Sequence, residues 1–242
     1  MMKIITTSWD DGHPLDIKLA GVLKKHNIRG TFYIPQTNAG DPVLHKSEIQ
    51  ALAQDFEVGG HTYSHAPLPK LDGIVLRDEI KTGKKYIDDI VGRETRSFCL
   101  PMGLYNKRVI DEVINAGYSF ARTTTLFQTR CGHPQLMHTT VQLYTHTRHT
   151  MIRHCLKRGM LQPFIDNAFF IKPCTITHLV KRYLSIIDAD GGIFHLWGHS
   201  WEIEKYNLWA ELEEVCSVLN KRNEFNKLTN GETWDHIHAY PK

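Results

Sequence analysis

The chain has 242 residues, of which 41% are hydrophobic and 23% charged, a composition typical of a globular protein with a sizeable core. Its net charge of +3 comes from 29 basic and 26 acidic residues spread along the chain, which argues against a nucleic-acid or anionic membrane partner. No stretch approaches the roughly 18 consecutive apolar residues of a membrane span.

The cysteines and the N-terminal residues indicate the cellular compartment in which the protein is expected. The five cysteines, at positions 99, 131, 155, 174 and 216, are odd in number and include no C-x-x-C pair, so we expect reduced thiols rather than a disulfide framework. The opening MMKIITTSWDD lacks the apolar core of a secretion signal, which predicts a cytoplasmic location. Since no linker, repeat or low-complexity tract divides the chain, we expect one domain over residues 1–242.

Strand-like and helix-like patterns alternate over the first 122 residues. The apolar periodicity predicts strands over 3–8, 30–34, 56–59, 97–100 and 118–122. It predicts helices over 14–26, 47–54 and 106–116, and a longer one that Asp72 caps and Gly92 ends. This regular alternation favours a parallel sheet or barrel.

The pattern is weaker in the second half of the chain. Residues 126–150 show some β-like alternation. Helices are expected over 150–161, 175–187 and 208–219, and a late strand over 193–198. The whole chain therefore predicts a single α/β barrel of about seven or eight β/α repeats.

Two adjacent carboxylates, Asp10 and Asp11, follow the first predicted strand. In a parallel β/α fold, functional groups gather where the strands end, at the carboxyl edge of the sheet. Taken alone, the Asp-Asp-Gly sequence is more often a solvated turn or a helix cap.

A second signal, GGHTYSHAPL at 59–68, follows the third predicted strand. His61 and His65 are four residues apart, so on one helical turn both imidazoles would project to the same side and could share an ion. A divalent ion held by these two histidines and Asp11 would keep positions open for water, as a hydrolytic site requires. Asp10 would then be the base beside it. The same three ligand types also form an iron oxygenase site, but that chemistry usually occurs on an antiparallel β scaffold.

Several motifs together resemble a known family. SWDDG at 8–12 resembles the T-F-D-D-G motif of the polysaccharide deacetylase (NodB-homology) family, and RGTFYI at 29–34 resembles its second strand. HTYSH at 61–65 and SFCLPMGLYN at 97–106 are similar to its second and third motifs. The matches follow the family's order across residues 3–122. The resemblance implies an incomplete, distorted (β/α) barrel that removes N-acetyl groups from amino sugars with the help of a metal ion.

The resemblance also implies roles for particular residues. Asp10 would be the general base, and Asp11, His61 and His65 would bind a divalent metal, for which zinc is the leading choice. The backbone N–H of Met102 would help to stabilise the oxyanion of the tetrahedral intermediate.

The chain departs from the family pattern at the third and fourth motifs. Cys99 stands where the family has the arginine that orients the base, and Arg96 and Arg122 are the alternative sources of that charge. A fourth motif of the D-x-x-x-W type is not recognisable.

The catalytic acid is expected in GIFHLWGHSWEIE at 192–204, where the family has a late L-x-H motif. Alternation places His195, Trp197 and His199 on one face of an extended segment. His199, at the end of the strand, is better placed to protonate a leaving amine, with His195 as the alternative acid. Trp197, Trp201 and Pro101 are candidates for contact with the substrate, although aromatic residues are more often part of a core.

The leading hypothesis is therefore a metal-dependent hydrolase that removes an N-acetyl or related N-acyl group from an amino sugar or an intracellular glycan precursor. One alternative is a metal-dependent C–N hydrolase acting on a non-sugar amide or a formyl group. Another is a non-catalytic sugar-binding relative, which the replacement at Cys99 would favour.

Overall fold

The computed structural model describes residues 1–144 and 175–239. The strands are β1 (Lys3–Asp10), β2 (Thr31–Ile34), β3 (Glu57–Gly60), β4 (Ser97–Cys99), β5 (Phe120–Arg122), β6 (Leu136–Met137), β7 (Val141–Gln142), β8 (Gly192–Gly198) and β9 (Asn226–Lys227). The helices are α1 (Asp16–Lys25), α2 (Lys46–Asp55), α3 (Gly73–Val91), α4 (Lys107–Asn115), α5 (Ile176–Asp190), α6 (Ser200–Lys205), α7 (Trp209–Asn220) and α8 (Asn230–Ala239).

These strands form one curled parallel sheet, an incomplete (β/α) barrel. Their order is β6-β5-β4-β3-β2-β1-β8-β7, and β9 pairs with β1 outside that path. In the register of the central strands, Asp10 lies beside Tyr33 of β2 and Trp9 lies beside Gly198 of β8. The carboxyl ends of β1, β2 and β8 therefore lie at the same level of the sheet.

The hydrophobic core lies between the sheet and the surrounding helices. One cluster joins Ile5, Phe32 and Phe194 of the central strands to helices α1, α2, α5 and α7, with Leu19 and Leu212 fully buried. A second cluster packs α3 and α4 against β4 and β5. Because each helix buries only its apolar face, the 3.6-residue periodicity of the sequence was a sound guide to these elements.

The opposite face of the central strands is more polar and contacts α8. The Asn230 side chain accepts a hydrogen bond from Thr6 Oγ1 at 2.8 Å and donates one to Tyr33 Oη at 2.9 Å. The Glu57 carboxylate accepts hydrogen bonds from Thr31 Oγ1 and Ser97 Oγ. Glu57 also accepts a hydrogen bond from the backbone N–H of Gly231, so Asn230 and Gly231 hold the start of α8 against the sheet.

The alternation predicted for the first 122 residues is confirmed, with no element end displaced by more than two residues. The Asp72 side chain caps α3 by accepting from two backbone N–H groups, and Gly92 ends it with a left-handed φ of 71°. The helix predicted over 150–161 lies outside the described residues, as do Cys155 and Cys174. The other three cysteines are free thiols.

None of the helices in the described ranges combines the length and apolar character needed to cross a membrane.

Candidate active site

The first strand ends in a tight turn that presents both carboxylates. Asp11 has a φ of 78° and Gly12 a φ of 60°, so two consecutive residues adopt the left-handed conformation. Aspartate tolerates this region better than most residues, whereas Gly12 is required because a Cβ there would lie 2.7 Å from Ile34 Cγ2. Asp10 and Asp11 are both buried at this turn.

The two histidines after β3 are close together, but the helical turn predicted for them is wrong. Residues 61–65 form an irregular loop in which Thr62 and His65 have positive φ angles of 67° and 56°. These left-handed residues bring the rings of His61 and His65 to a centroid distance of 4.8 Å. The Glu79 carboxylate of α3 holds the loop by accepting hydrogen bonds from the backbone N–H and the hydroxyl of Ser64.

The orientation of His61 is fixed by its own hydrogen bond. Its Nδ1 donates to the backbone carbonyl of Cys99 at 2.9 Å, so Nε2 carries the lone pair. His61 Nε2 lies 3.5 Å and His65 Nε2 3.2 Å from Asp11 Oδ1.

These three side chains fit a divalent cation. Asp11 Oδ1 is buried and forms no hydrogen bond with the described residues, although two ring nitrogens face it. One carboxylate oxygen and two imidazole nitrogens, all within 4.8 Å of one another, are the donor set of a catalytic zinc site. Burial alone would raise the pKa of Asp11, but the contacts of His61 and His65 and the charge of His199 outweigh it and lower the pKa far below its usual range.

Asp10 is held by two groups that come from neighbouring strands. Arg122 Nη2 donates a hydrogen bond to Asp10 Oδ1 in a fully buried ion pair. Cys99 Sγ lies 3.5 Å from Asp10 Oδ2 as a thiol donor. Cys99 of β4 pairs laterally with Arg122 of β5, so the guanidinium reaches the base from one strand further along the sheet. Arg96, the other candidate, instead forms an exposed ion pair with Asp235.

The Arg122 guanidinium is packed between two aromatic rings. Its Cζ atom lies 5.4 Å from the ring centre of Tyr33 and 4.9 Å from that of Trp197. Burial would lower the pKa of Arg122, but the neighbouring Asp10 charge raises it above its usual range. The arginine therefore remains a cation inside the protein.

His199 faces the carboxylates from the end of β8. Its Nε2 lies 4.0 Å from Asp10 Oδ2 and 3.8 Å from Asp11 Oδ2. Its Nδ1 lies 2.6 Å from Glu202 Oε2, one turn further along α6. Burial would lower the pKa of His199, but the hydrogen bond to Glu202 and the charges of Asp10 and Asp11 raise it to about 9. At neutral pH the ring therefore carries a proton that it can donate.

His195 lies deeper in the barrel and does not contact the carboxylate pair. Its Nε2 is 2.8 Å from Ser8 Oγ and its Nδ1 is 3.0 Å from the carbonyl oxygen of His138. Burial, together with the charge of Arg122, lowers the pKa of His195 to about 3. The structure thus brings His199 to the site and leaves His195 as a neutral, hydrogen-bonded interior residue.

The turn after β4, at Pro101–Gly103, lies at the same carboxyl edge of the sheet as Asp10 and His61. Met102 has a φ of 56° and is 58% exposed, while Pro101 before it is buried. Asp11, Thr62, His65 and Met102 are four of the seven described non-glycine residues with positive φ, and all four lie in the loops that form this site. Left-handed backbone of this kind is costly and concentrates at functional sites.

The structure also corrects the predicted substrate contacts. Trp197 is only 5% exposed and lies against Arg122, so it supports the base and offers no face to a sugar. Pro101 is buried in the same way. Trp201 does lie at the edge, but its Nε1 donates to Asp11 Oδ2 at 2.9 Å. Sequence reasoning missed the pairing of Glu202 with His199, which the three-residue spacing in HSWE could have indicated.

Comparison with known proteins agrees with this geometry. Residues 2–121 match the sequence model of the family described as polysaccharide deacetylase. The peptidoglycan-N-acetylmuramic acid deacetylase PdaA of Bacillus subtilis is 26% identical over 121 residues, covering 48% of this chain and 44% of its own length. The peptidoglycan-N-acetylglucosamine deacetylase of Bacillus cereus is 28% identical over 102 residues, covering 41% of this chain and 36% of its own. The chain thus spans less than half the length of these curated relatives.

Solved structures extend the similarity of fold to nearly the whole chain. A Mycobacterium smegmatis protein assigned as a polysaccharide deacetylase superposes with a TM-score of 0.71 at 16% identity, covering 99% of this chain and 92% of its own. The chitin deacetylase of Colletotrichum lindemuthianum gives a TM-score of 0.60 at 15% identity, covering 96% and 89%. Residues 2–121 thus belong to the polysaccharide deacetylase family, and the solved structures show that the same fold extends over nearly the whole chain.

Proposed function

We propose that the protein is a metal-dependent hydrolase that removes an N-acetyl group from an amino sugar. One observation carries this proposal. A carboxylate, Asp10, and a protonated imidazole, His199, lie beside the donor set of Asp11, His61 and His65, with His199 Nε2 within 4.0 Å of both aspartates. A base, an acid and a cation site in one cluster of side chains are the components of amide hydrolysis.

Asp11, His61 and His65 would hold the cation. A divalent ion bound there, which the donor chemistry favours as zinc, would be a Lewis acid able to polarise the amide carbonyl and to lower the pKa of water.

Asp10 is placed to act as the general base. Its Oδ1 is held by the Arg122 cation, which leaves Oδ2, beside the weak thiol donor of Cys99, to accept a proton. As the water oxygen attacks the acetyl carbonyl carbon, its proton passes to Oδ2. The fixed charge of Arg122 orients the carboxylate and balances the negative charge of Asp10 in the interior.

His199 is placed to act as the general acid. After attack, the carbonyl oxygen carries negative charge, and the Met102 backbone N–H would stabilise it at the edge. The C–N bond then breaks while His199 Nε2 gives its proton to the leaving nitrogen, producing acetate and a free amine. Glu202 holds Nδ1 of the same ring and keeps Nε2 directed at Asp10 and Asp11.

Two observations support an enzyme over a sugar-binding relative. Arg122 supplies at Asp10 the positive charge that the replacement at Cys99 removes, so this replacement no longer argues for lost activity. The named relatives act on peptidoglycan amino sugars, which makes N-acetylglucosamine and N-acetylmuramic acid units the first substrates to test. The cytoplasmic location predicted from the sequence stays a prediction, which cell fractionation would test.

The test is acetate release from a panel of N-acetylated sugars by the zinc-loaded protein, compared with the Asp10→Asn variant. The proposal expects acetate from at least one sugar. It also expects Asp10→Asn to lose turnover while still binding one zinc ion per chain, measured by elemental analysis. Absence of acetate from every sugar, or full activity in the Asp10→Asn variant, would contradict the proposal.

A further inference from the structure

Trp201 makes a contact that the mechanism above does not use. Its indole Nε1 donates a hydrogen bond to Asp11 Oδ2 at 2.9 Å, and its ring lies 5.4 Å from that of His199. The two oxygens of Asp11 are thus treated differently: Oδ2 is occupied by the indole, whereas Oδ1 is buried, has no hydrogen bond from the described residues and faces His61 and His65.

The hydrogen bond from the indole has a consequence for the other oxygen. A carboxylate whose one oxygen accepts from a fixed donor is held in a single orientation. Asp11 Oδ1 is thereby kept facing His61 Nε2 and His65 Nε2, the other two atoms of the donor set.

We propose that Trp201 is a positioning residue whose N–H holds Asp11 Oδ2, so that Asp11 reaches the cation through Oδ1 alone. This inference rests on the cation proposed above. Outer partners that hold a ligand carboxylate set its orientation, and their loss typically weakens metal binding by about 10- to 100-fold. A carboxylate that binds through one oxygen also keeps the coordination number low, which suits zinc and leaves room for water.

Trp201→Phe is the direct test because it keeps an aromatic ring and removes only the N–H donor. Trp209→Phe is the matched control, because it also removes an indole N–H that donates to a carboxylate. Trp209 Nε1 lies 2.5 Å from Glu204 Oε2, and this hydrogen bond is exposed to solvent. Zinc affinity is measured by competition with a chromophoric chelator, and the Co²⁺-loaded proteins are compared by visible absorption. Thermal unfolding of the metal-free variants checks their fold.

We expect Trp201→Phe to raise the zinc Kd about 10- to 100-fold and to change the Co²⁺ spectrum, whereas Trp209→Phe leaves both as in the wild type. A Trp201→Phe protein with a Kd within twofold of the wild type and an unchanged Co²⁺ spectrum would overturn the inference and leave the proposed function intact. A wild-type protein that binds neither ion would instead overturn the proposed function itself.

A second measurement does not depend on how the variant folds. In a zinc-loaded crystal structure of the wild type, Asp11 should reach the ion through Oδ1 only, with the indole still bound to Oδ2. Coordination through both oxygens, or an indole turned away from Asp11, would overturn the inference.

Discussion

The interior of β8 and the position directly after its end contain histidines with opposite properties. His195, in the interior of β8, is enclosed by Ser8 and the His138 carbonyl, and burial lowers its pKa to about 3. His199, four residues later at the edge, lies beside three carboxylates, which raise its pKa to about 9. The residue type is the same, so the surroundings alone decide which imidazole can donate a proton.

A similar contrast between a buried and an exposed residue separates the two arginines considered as substitutes for the family arginine that Cys99 replaces. Arg122 is fully buried between two aromatic rings and neutralises Asp10, whereas Arg96 pairs with Asp235 where both side chains are about half exposed. Loss of one partner of a buried charge pair strongly destabilises the folded protein, whereas an exposed pair contributes little to its stability. Both comparisons can be tested by matched substitutions.

The largest effect should come from the edge histidine. His199→Gln removes the proton donor and should lower the kcat of the folded protein by about 100- to 10,000-fold. The matched His195→Gln variant should lose stability because its buried hydrogen bonds are disturbed, yet its folded fraction should keep most of its kcat. Steady-state kinetics and thermal unfolding of both variants make the comparison. The reverse pattern would show that His195 is the acid.

The next effect concerns the arginines. Arg122→Met leaves Asp10 buried without its partner and should lower the free energy of unfolding by about 3–5 kcal/mol. Arg96→Met should cost no more than about 1 kcal/mol because its ion pair is exposed. Urea denaturation of both variants measures the difference. Equal losses would contradict the structural role given to Arg122.

The third effect is a pH dependence that is absent at neutral pH. The folded pKa of His195, about 3, lies below its unfolded value, so the unfolded chain binds a proton first as the pH falls. The contribution of this residue to stability is therefore constant above about pH 6.5 and falls by about 1.4 kcal/mol per pH unit between about pH 6.5 and 3. His195→Gln should flatten the decline of stability with acid by that amount. Parallel curves for the two proteins, obtained by urea denaturation at a series of pH values, would contradict this account.

Much of the fold could be predicted because its signals are local. The apolar periodicity of α1 and α3, the Asp72 cap and the Gly92 stop each depend on residues close together in the chain. The proximity of Asp11 to His61 and His65 could be predicted for a related reason, since parallel strands β1 and β3 end at one edge.

Other features depend on contacts that sequence spacing does not contain. The partner of Asp10 was left open between Arg96 and Arg122 because the choice depends on the lateral pairing of Cys99 with Arg122. The segment from His61 to His65 was expected to be helical, but Thr62 and His65 adopt left-handed backbone conformations. Glycine is the residue that usually indicates such a conformation in a sequence, and neither of these positions is a glycine. Which of His195 and His199 lies at the site depends on where β8 ends. The ends of strands are the features that sequence patterns predict least well. The extent of the single domain stays a prediction.

The central claim is that Asp11, His61 and His65 bind one divalent cation beside the base Asp10. The most direct test is acetate release by the purified protein from an N-acetylated sugar that it deacetylates, before chelation, after exhaustive chelation and after zinc is restored. The account predicts that activity disappears with the metal and returns with about one zinc ion per chain. Unchanged activity in the fully chelated protein would contradict it.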